Sequence, residues 1–159
     1  MTALKTIVWS IFAPGTLTLT IPYFLLSSRR DSFHLEFSYL RLFGFLPIVV
    51  GVALYIWCAW NFTFIGKGTP APFDPPKELV VKGPYRYVRN PMYIFVGLAL
   101  AGEAIVFESM SIAIFAVAAL AFFHVWILVY EEPTLRRKFG EAYWNYCLRV
   151  SRWLPRVTT

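Results

Sequence analysis

The chain has 159 residues, of which 58% are hydrophobic and 15% are charged. Soluble domains average about 45–50% apolar and about 25% charged residues, so this composition excludes an ordinary soluble domain. The formal net charge of +6 does not indicate a nucleic-acid-binding protein, because the basic residues lie at the boundaries of long apolar runs.

Four long apolar runs predict transmembrane helices at about 6–28, 42–66, 90–107 and 109–130. None contains Asp, Glu, Lys or Arg except the third, which contains Glu103. About 20 apolar residues are needed to cross the roughly 30 Å hydrocarbon core of a bilayer. The sequence therefore predicts an all-α integral membrane bundle of four transmembrane helices, in a single domain that covers residues 1–159.

The basic residues favour one orientation of this bundle. Lys5 and the basic residues of segments 67–89 and 131–159 lie on one side of the four predicted spans, and few basic residues lie on the other side. Cytoplasmic loops of membrane proteins are enriched in Lys and Arg. We therefore expect a multi-pass protein whose termini and two long polar segments, 67–89 and 131–159, are cytoplasmic.

The polar segment before the third span ends in a turn, Gly83-Pro84, that is followed by tyrosines, arginines and an Asn-Pro pair. Asn90 is well placed to cap the third helix, and Pro91 is well placed to begin it. Tyr and Arg also anchor helices at the level of the lipid headgroups. These residues alone fit an interfacial anchor and a binding site equally well.

Two carboxylates, Glu131 and Glu132, stand where the fourth span ends. The macrodipole disfavours carboxylates at a helix C-terminus, so a cationic ligand or nearby arginines are expected beside them; ordinary solvated charge is the alternative. His124 lies seven residues before Glu131 on the same helical face and is a further candidate. Glu103 is either functional or a protonated structural residue, since ionisable groups inside membranes are costly.

The segment after the fourth span predicts a C-terminal amphipathic helix on the cytoplasmic side. Apolar residues recur there at spacings of three and four: Leu135, Phe139, Tyr143, Tyr146 and Val150. The basic residues lie elsewhere around the helix and would face water or headgroups. The two cysteines, Cys58 and Cys147, provide no set of metal ligands, and no metal site is predicted.

Two motifs stand in order along the second half of the chain. Residues 79–93 read Leu-Val-x-x-Gly-Pro-Tyr-x-Tyr-x-Arg-Asn-Pro-x-Tyr, and residues 131–146 read Glu-Glu-Pro-x-Leu-x-x-x-Phe-Gly-x-x-Tyr-x-x-Tyr, followed by Arg-Trp-Leu-Pro at 152–155. Together they resemble the isoprenylcysteine carboxyl methyltransferase and phospholipid methyltransferase superfamily of membrane enzymes. The resemblance covers roughly residues 66–155.

The resemblance implies an S-adenosylmethionine-dependent methyltransferase that acts on a lipophilic acceptor at the cytoplasmic face of the membrane. The family motifs place the cofactor contacts on Lys77, Glu78, Leu79, Val80, Tyr85, Asn90, Pro91, Met92, Tyr93 and Glu131. The candidate catalytic groups are Glu131, Glu132 and His124. An amine acceptor must lose a proton, and each of these three side chains can accept one.

Two positions depart from the pattern of this superfamily. Asn90 stands where members often have His, and Ile127 stands where the prenylcysteine enzymes have an Arg for the substrate carboxylate. The second departure argues against a prenylcysteine acceptor. The sequence alone is compatible with a lipid amine, an isoprenoid carboxylate or another apolar small molecule as the acceptor, and it does not specify an oligomeric state. The alternative class is a non-catalytic membrane scaffold or subunit whose basic tail binds anionic lipid.

Overall fold

A computed structural model of the chain describes residues 2–27, 38–69 and 76–156. These residues are mostly helical and contain no strand. The predicted loop that carries Arg29 and Arg30, and the proline-rich stretch 70–75, lie outside the described residues.

The first half of the chain forms two long helical segments. Helix α1, Thr2–Gly15, continues through a wide π-helical turn, Thr16–Thr20, into α2, Ile21–Ser27. A 3₁₀ helix, Ser38–Gly44, leads directly into α3, Phe45–Phe64. Both segments agree with the first two predicted apolar runs.

The second half forms a helical hairpin whose second helix is extended. A short 3₁₀ helix, Gly83–Arg86, precedes α4, Pro91–Val106. Helix α5, Met110–Trp126, packs back against α4 and continues through a second π-helical turn, Ile127–Glu131, into α6, Glu132–Arg149.

Three helices of the described chain are long and apolar enough to cross a membrane: Leu4–Ser27, Arg41–Phe64 and the helix Met110–Arg149, through its apolar part. Helix α4 is apolar but has 16 residues, or about 24 Å at 1.5 Å per residue. That length is less than the roughly 30 Å hydrocarbon core. The predicted count of four transmembrane helices is therefore not confirmed, because the third predicted span is too short to meet this criterion.

Small residues allow α3 and α4 to approach closely. A Cβ atom on Gly51 would lie 2.6 Å from the carbonyl oxygen of Phe95, and one on Gly102 would lie 2.6 Å from the carbonyl oxygen of Gly44. Both distances are shorter than a Cβ contact can be, so only glycine permits this packing. Close backbone approach over small residues is a common way for membrane helices to associate.

The core between α4 and α5 is apolar and buried. Its residues come from facing sides of the two helices: Val96, Leu100, Ala116, Ala119 and Phe123. Gly97 lies against Leu120, whose Cδ2 atom would be 2.8 Å from an added Cβ. The hairpin thus holds the start of α4 beside the end of α5.

Helix α6 shows the buried side of the predicted amphipathic helix, but its other side is less clearly polar. Its residues Tyr143 and Tyr146 are buried together with Val150, as the apolar spacing predicts. The opposite face is mixed, since Trp144 and Leu148 are 54% and 56% exposed among charged neighbours. A two-sided amphipathic helix is therefore not confirmed. Gly140, with φ of 51°, interrupts the helical geometry and bends α6.

Candidate active site

Several of the predicted site residues lie at one end of the bundle, where α3 ends, α4 begins and α5 passes into α6. The connection from α3 to α4 crosses this end. Gly83 turns the chain there with φ of 60°, and a Cβ atom on it would lie 2.5 Å from Asn61 Nδ2. Tyr85 follows in a buried cluster with Cys58, and its ring centroid lies 5.4 Å from that of Phe62.

The residues after α6 run beside this connection. We call Val150–Trp153 the strap. The amide of Arg89 donates to the carbonyl of Ser151 at 2.8 Å, and Tyr146 Oη donates to the carbonyl of Tyr85 at 2.6 Å. These bonds hold the residues that precede α4 against α6 and the strap.

Asn90 stands at the N-cap of α4, and Pro91 is the first helical residue, as predicted. The side chain of Asn90 does not cap the helix, however. Its Nδ2 atom donates to the carbonyl of Arg152 at 3.3 Å. Asn90 therefore connects α4 to the strap, a role that the local sequence pattern did not predict.

Glu132 is 4% exposed and lies in a cluster of arginines. Arg152 donates two hydrogen bonds to it, at 2.8 and 2.9 Å. Arg89 and Arg136 lie 3.2 and 3.9 Å from its carboxylate oxygens. Burial alone would raise the pKa of Glu132, but the bond from Arg152 and the positive charges of all three arginines bring the pKa below its usual value.

A cavity of about 360 Å³ lies next to this ion cluster; we call it the aromatic cavity. Nine of its lining residues are aromatic: Trp9, Tyr55, Phe62, Tyr85, Tyr93, Phe122, Phe123, Trp126 and Tyr130. Among the described residues, the charged side chains that line it are Arg89 and Glu131. The cavity is therefore apolar with a few convergent polar groups, as ligand sites commonly are.

Glu131 faces the aromatic cavity and accepts a hydrogen bond from Tyr93 Oη at 2.6 Å. The Tyr93 ring packs on Phe123, with 4.7 Å between ring centroids. Glu131 is the last residue of the π-helical turn and Glu132 begins α6. Adjacent residues of a helix point about 100° apart, so the first carboxylate lies in the cavity and the second in the ion cluster.

Two buried donors beside the cavity lack hydrogen-bond partners within the described part of the chain. They are Tyr85 Oη and Arg89 Nε, and both residues line the aromatic cavity. Burial raises the pKa of Tyr85 well above its usual value, so the phenol remains a neutral donor. A buried donor without a hydrogen-bond partner costs free energy. A polar ligand in the cavity would supply the missing hydrogen-bond acceptors.

The structure brings half of the predicted cofactor contacts to the aromatic cavity, namely Tyr85, Asn90, Met92, Tyr93 and Glu131. The others lie outside its lining. Lys77 and Glu78 are exposed, and Glu78 pairs with Lys67 at 2.5 Å. Leu79 packs with the apolar residues of α6, Val80 packs beside Tyr85, and Pro91 is buried at the start of α4.

His124 does not line the aromatic cavity. Its Nδ1 atom accepts a hydrogen bond from Trp153 Nε1 at 3.0 Å, so it holds the strap. Glu103 is 7% exposed in the last turns of α4, away from the cavity. One of its carboxylate oxygens is buried with no hydrogen-bond partner in the described residues.

Most of the cavity wall was not predicted from the sequence. Trp9, Tyr55, Phe122 and Trp126 lie in apolar runs, where an aromatic residue that faces a cavity resembles one that faces lipid. Arg89 lies within the motif at 79–93 but is not among the predicted cofactor contacts, because its sequence position does not reveal that its Nε is buried and unpaired.

The phospholipid methyltransferase family model matches residues 39–142, which is more than half of the chain. The chain belongs to this family. The match includes α3, α4, α5 and the Tyr93–Glu131 pair, whereas α1 and α2 lie outside it. Membership in a family of membrane methyltransferases, together with the three long apolar helices, makes this an integral membrane protein.

A more distant similarity exists to the nickel-cobalt-cadmium resistance protein NccN of Alcaligenes xylosoxydans xylosoxydans. The two sequences are 26% identical over 115 residues, which is 72% of this chain and 49% of NccN. The chain thus spans about half the length of this relative. Within the described residues, no group of three or more His, Cys, Asp or Glu side chains could hold a metal ion.

Proposed function

We propose that the protein transfers a methyl group from S-adenosylmethionine to a lipophilic acceptor, and that the reaction occurs in the aromatic cavity at the cytoplasmic end of the bundle. The observation that carries this proposal is the cavity lining, in which aromatic rings surround the carboxylate of Glu131. Family methyltransferases generally use this cofactor, which supports the proposal.

The cavity has the groups that a sulfonium cofactor requires. Aromatic faces attract a cation through their quadrupoles, and the Glu131 carboxylate adds Coulomb attraction in a partly desolvated site. Arg89 Nε and Tyr85 Oη are unpaired donors for the carboxylate or hydroxyls of the same ligand. When bound, the cofactor supplies an electrophilic methyl group.

The protein contributes mainly position and exclusion of water. The arginine cluster around Glu132 fixes Arg89 beside the cavity, and Tyr146 fixes the backbone of Tyr85. The apolar wall keeps water from the reacting groups. Correct placement of two reactants can supply a large part of the rate enhancement.

The cavity favours an amine over a carboxylate as the methyl acceptor. A carboxylate in the cavity would be repelled by Glu131. Ile127, where the prenylcysteine enzymes have an Arg, is apolar and fully buried outside the cavity lining, so it offers a carboxylate no positive charge. An acceptor ammonium must lose a proton, and Glu131 lies in the cavity to take it. We therefore propose a phospholipid amine, which agrees with the description of the matched family.

The contacts of the other two candidate catalytic residues, Glu132 and His124, favour a role in positioning the site. Glu132 is paired with arginines on three sides, so its carboxylate is unsuited to accept a proton from the acceptor. His124 contacts the strap through Trp153. We propose that both residues hold the site together and that Glu131 acts as the base.

Binding of S-adenosylhomocysteine to the purified protein, measured by calorimetry in detergent, tests the cofactor assignment. Tyr85→Phe removes the unpaired donor and Asn90→Ala removes the bond to the strap, so both should weaken binding severalfold. Tyr87→Phe is the matched control, because Tyr87 is 57% exposed and lies outside the cavity lining.

A methylation assay would then identify the acceptor. The protein is supplied with labelled S-adenosylmethionine and native lipids, and the lipid that takes the label is determined; we expect an amine phospholipid. If the folded protein bound no cofactor and labelled no lipid, the proposal would be wrong and the scaffold alternative would be preferred.

One observation favours the alternative of a lipid-binding scaffold. The exposed face of α6 combines Arg136, Arg137 and Lys138 with Trp144 and Leu148, a mixture suited to an anionic membrane surface. This face does not compete with the aromatic cavity, so lipid contact and catalysis are compatible. Cofactor binding distinguishes a methyltransferase from a scaffold, because only the methyltransferase should bind S-adenosylmethionine.

A further inference from the structure

A second cavity of about 510 Å³ lies between α1 and α3; we call it the α1–α3 groove. Gly51, Ala59 and Ala99 are small residues that line its inner side. At the lipid-facing side, Ile7 and Ile56 are 56% and 59% exposed. The groove therefore opens sideways between two helices that are each long enough to cross the membrane.

Two side-chain hydrogen bonds cross the groove and join its walls. Tyr55 Oη donates to Ser10 Oγ at 3.2 Å, and Thr63 Oγ1 donates to Thr6 Oγ1 at 2.8 Å. The remaining lining is predominantly apolar. Because the lining extends from Thr6 in α1 to Leu19 in the π-helical turn that follows it, the groove follows this helical segment for about 20 Å.

The groove adjoins the aromatic cavity. Pro14, Tyr55 and Val96 line both spaces. Helix α1 separates them, with Trp9 on the side of the aromatic cavity and Ile11 on the side of the groove. The Tyr55 side chain, bonded to Ser10, therefore stands at the junction of an apolar space and the candidate active site.

We propose that the α1–α3 groove binds the hydrocarbon chain of the methyl acceptor while its reactive group occupies the aromatic cavity. This assignment rests on the proposed function. One leaflet contributes about half of the roughly 30 Å hydrocarbon core, so a 20 Å groove can hold a chain that extends through one leaflet. An apolar, laterally open space next to the active site is suited to that part of a lipid.

Helix α1 gives this groove a specificity role. It lies outside the residues matched by the family model, 39–142, so one wall of the groove is formed by a part of the chain that the shared domain does not include. The small side chain of Ala59 and the absence of one at Gly51 determine the depth of the groove. Larger residues there would exclude long chains but not short ones.

The experiment compares two acceptors in detergent, dioleoyl and dihexanoyl phosphatidylethanolamine, with labelled S-adenosylmethionine. Ala59→Leu fills the groove, and Ile56→Trp narrows its opening from an exposed position. Ala53→Leu is the matched control, since Ala53 is exposed on the same helix and lines neither cavity. Binding of S-adenosylhomocysteine reports whether each variant is folded.

We expect both groove variants to lower kcat/KM for the dioleoyl lipid at least tenfold, with kcat/KM for the dihexanoyl lipid and cofactor affinity changed less than about twofold. Ala53→Leu should match the unaltered protein. Equal kcat/KM values for the dioleoyl lipid in all four proteins would overturn the groove assignment and leave the proposed function standing.

A second measurement separates a bound acceptor chain from a lipid of purely structural role. A phosphatidylethanolamine with a photoreactive diazirine on its chain should label groove residues of α1 and α3, and Ala59→Leu should reduce that labelling. Labelling of the groove without any effect of Ala59→Leu on methylation would assign the groove to a structural lipid and overturn the proposal. An unaltered protein that bound no cofactor and methylated neither lipid would overturn the proposed function, and the assignment of an acceptor with it.

Discussion

Two adjacent carboxylates, Glu131 and Glu132, occupy different environments because they point to different sides of the same helix. Glu131 accepts a hydrogen bond from Tyr93 in the aromatic cavity. Glu132 is buried among arginines that fasten α6 to the strap and to the start of α4. We therefore expect the two carboxylates to have different roles. Substituting each glutamate by glutamine removes its charge with little change in shape and tests this expectation.

Glu131→Gln should weaken binding of S-adenosylmethionine by about ten- to hundredfold. A charge-assisted contact is worth about 1.5–3 kcal/mol, and each 1.4 kcal/mol is a factor of ten in affinity. S-adenosylhomocysteine lacks the sulfonium charge, so its affinity should change much less. Calorimetry with both ligands measures the difference.

The control for that comparison is Glu132→Gln, which should affect cofactor binding less because Glu132 does not line the cavity. If Glu131→Gln weakened both ligands equally, the carboxylate would not be recognising the cationic centre. If only Glu132→Gln weakened binding, the assignment of the two neighbours would be reversed.

Glu132→Gln should instead destabilise the folded protein by about 3 kcal/mol, because removal of one partner from a buried ion cluster leaves the other charges uncompensated. The pKa of Glu132 is lowered in the folded state. Its stabilising contribution is therefore present above the unfolded pKa of about 4.3 and is lost as the pH falls through the lower folded value.

Thermal unfolding in detergent at several pH values checks this prediction. The difference in Tm between the unaltered protein and Glu132→Gln should be largest at neutral pH. It should shrink below about pH 4.3, where the carboxylate of the unfolded chain takes up a proton before the folded one does, because the folded pKa is lowered. A difference that stayed constant down to pH 3 would show that charge at Glu132 contributes little.

For single residues, the sequence was most informative at positions that favour one residue type, such as the first positions of a helix. The Asn90-Pro91 start of α4 followed from the local pattern, and the family motifs named Tyr93 and Glu131 among the same predicted cofactor contacts. The hydrogen bond from Asn90 to Arg152 and the unpaired Nε of Arg89 did not follow from either. The first depends on the strap and the second on the contacts of Arg89 with α6, and both partners lie far later in the chain.

At the scale of helices, glycines set the distance between α3 and α4. Gly51→Ala should destabilise the protein by about 1–3 kcal/mol, because the new Cβ would lie 2.6 Å from the Phe95 carbonyl oxygen and one backbone would have to move. Thermal unfolding in detergent measures the effect.

Gly15→Ala is the matched substitution in α1, where the nearest atom would be 3.8 Å from the new Cβ. It should be neutral or stabilising by up to about 1 kcal/mol, since alanine is favoured over glycine within helices. Equal losses of stability in the two variants would show that contact between α3 and α4 is not the cause.

Apolar runs predicted the positions of the helices well, because a helix in lipid must satisfy its own backbone hydrogen bonds. They predicted the length of α4 less well, and the amphipathic form of α6, which was predicted from apolar spacing, is not confirmed. The third run includes residues beyond the helix, so α4 is shorter than the predicted span. Tertiary packing, rather than a lipid surface, buries the apolar side of α6.

For the whole molecule, the charge distribution predicts one orientation in the membrane. In a protein with Cys58→Ala and Cys147→Ser, a new cysteine at Ser32 should react with an impermeant thiol reagent added outside intact cells. A new cysteine at Phe73 should react only after the membrane is opened. The reverse pattern would contradict a cytoplasmic active site.

The strap also has a consequence for biogenesis. Ser151 and Arg152 bond to Arg89 and Asn90, yet they follow every apolar helix in the chain. The two residues that bind the segment before α4 are therefore translated after the last of these helices. Under the proposed function, a chain that has not yet been translated through the strap lacks these bonds and should be inactive in methylation.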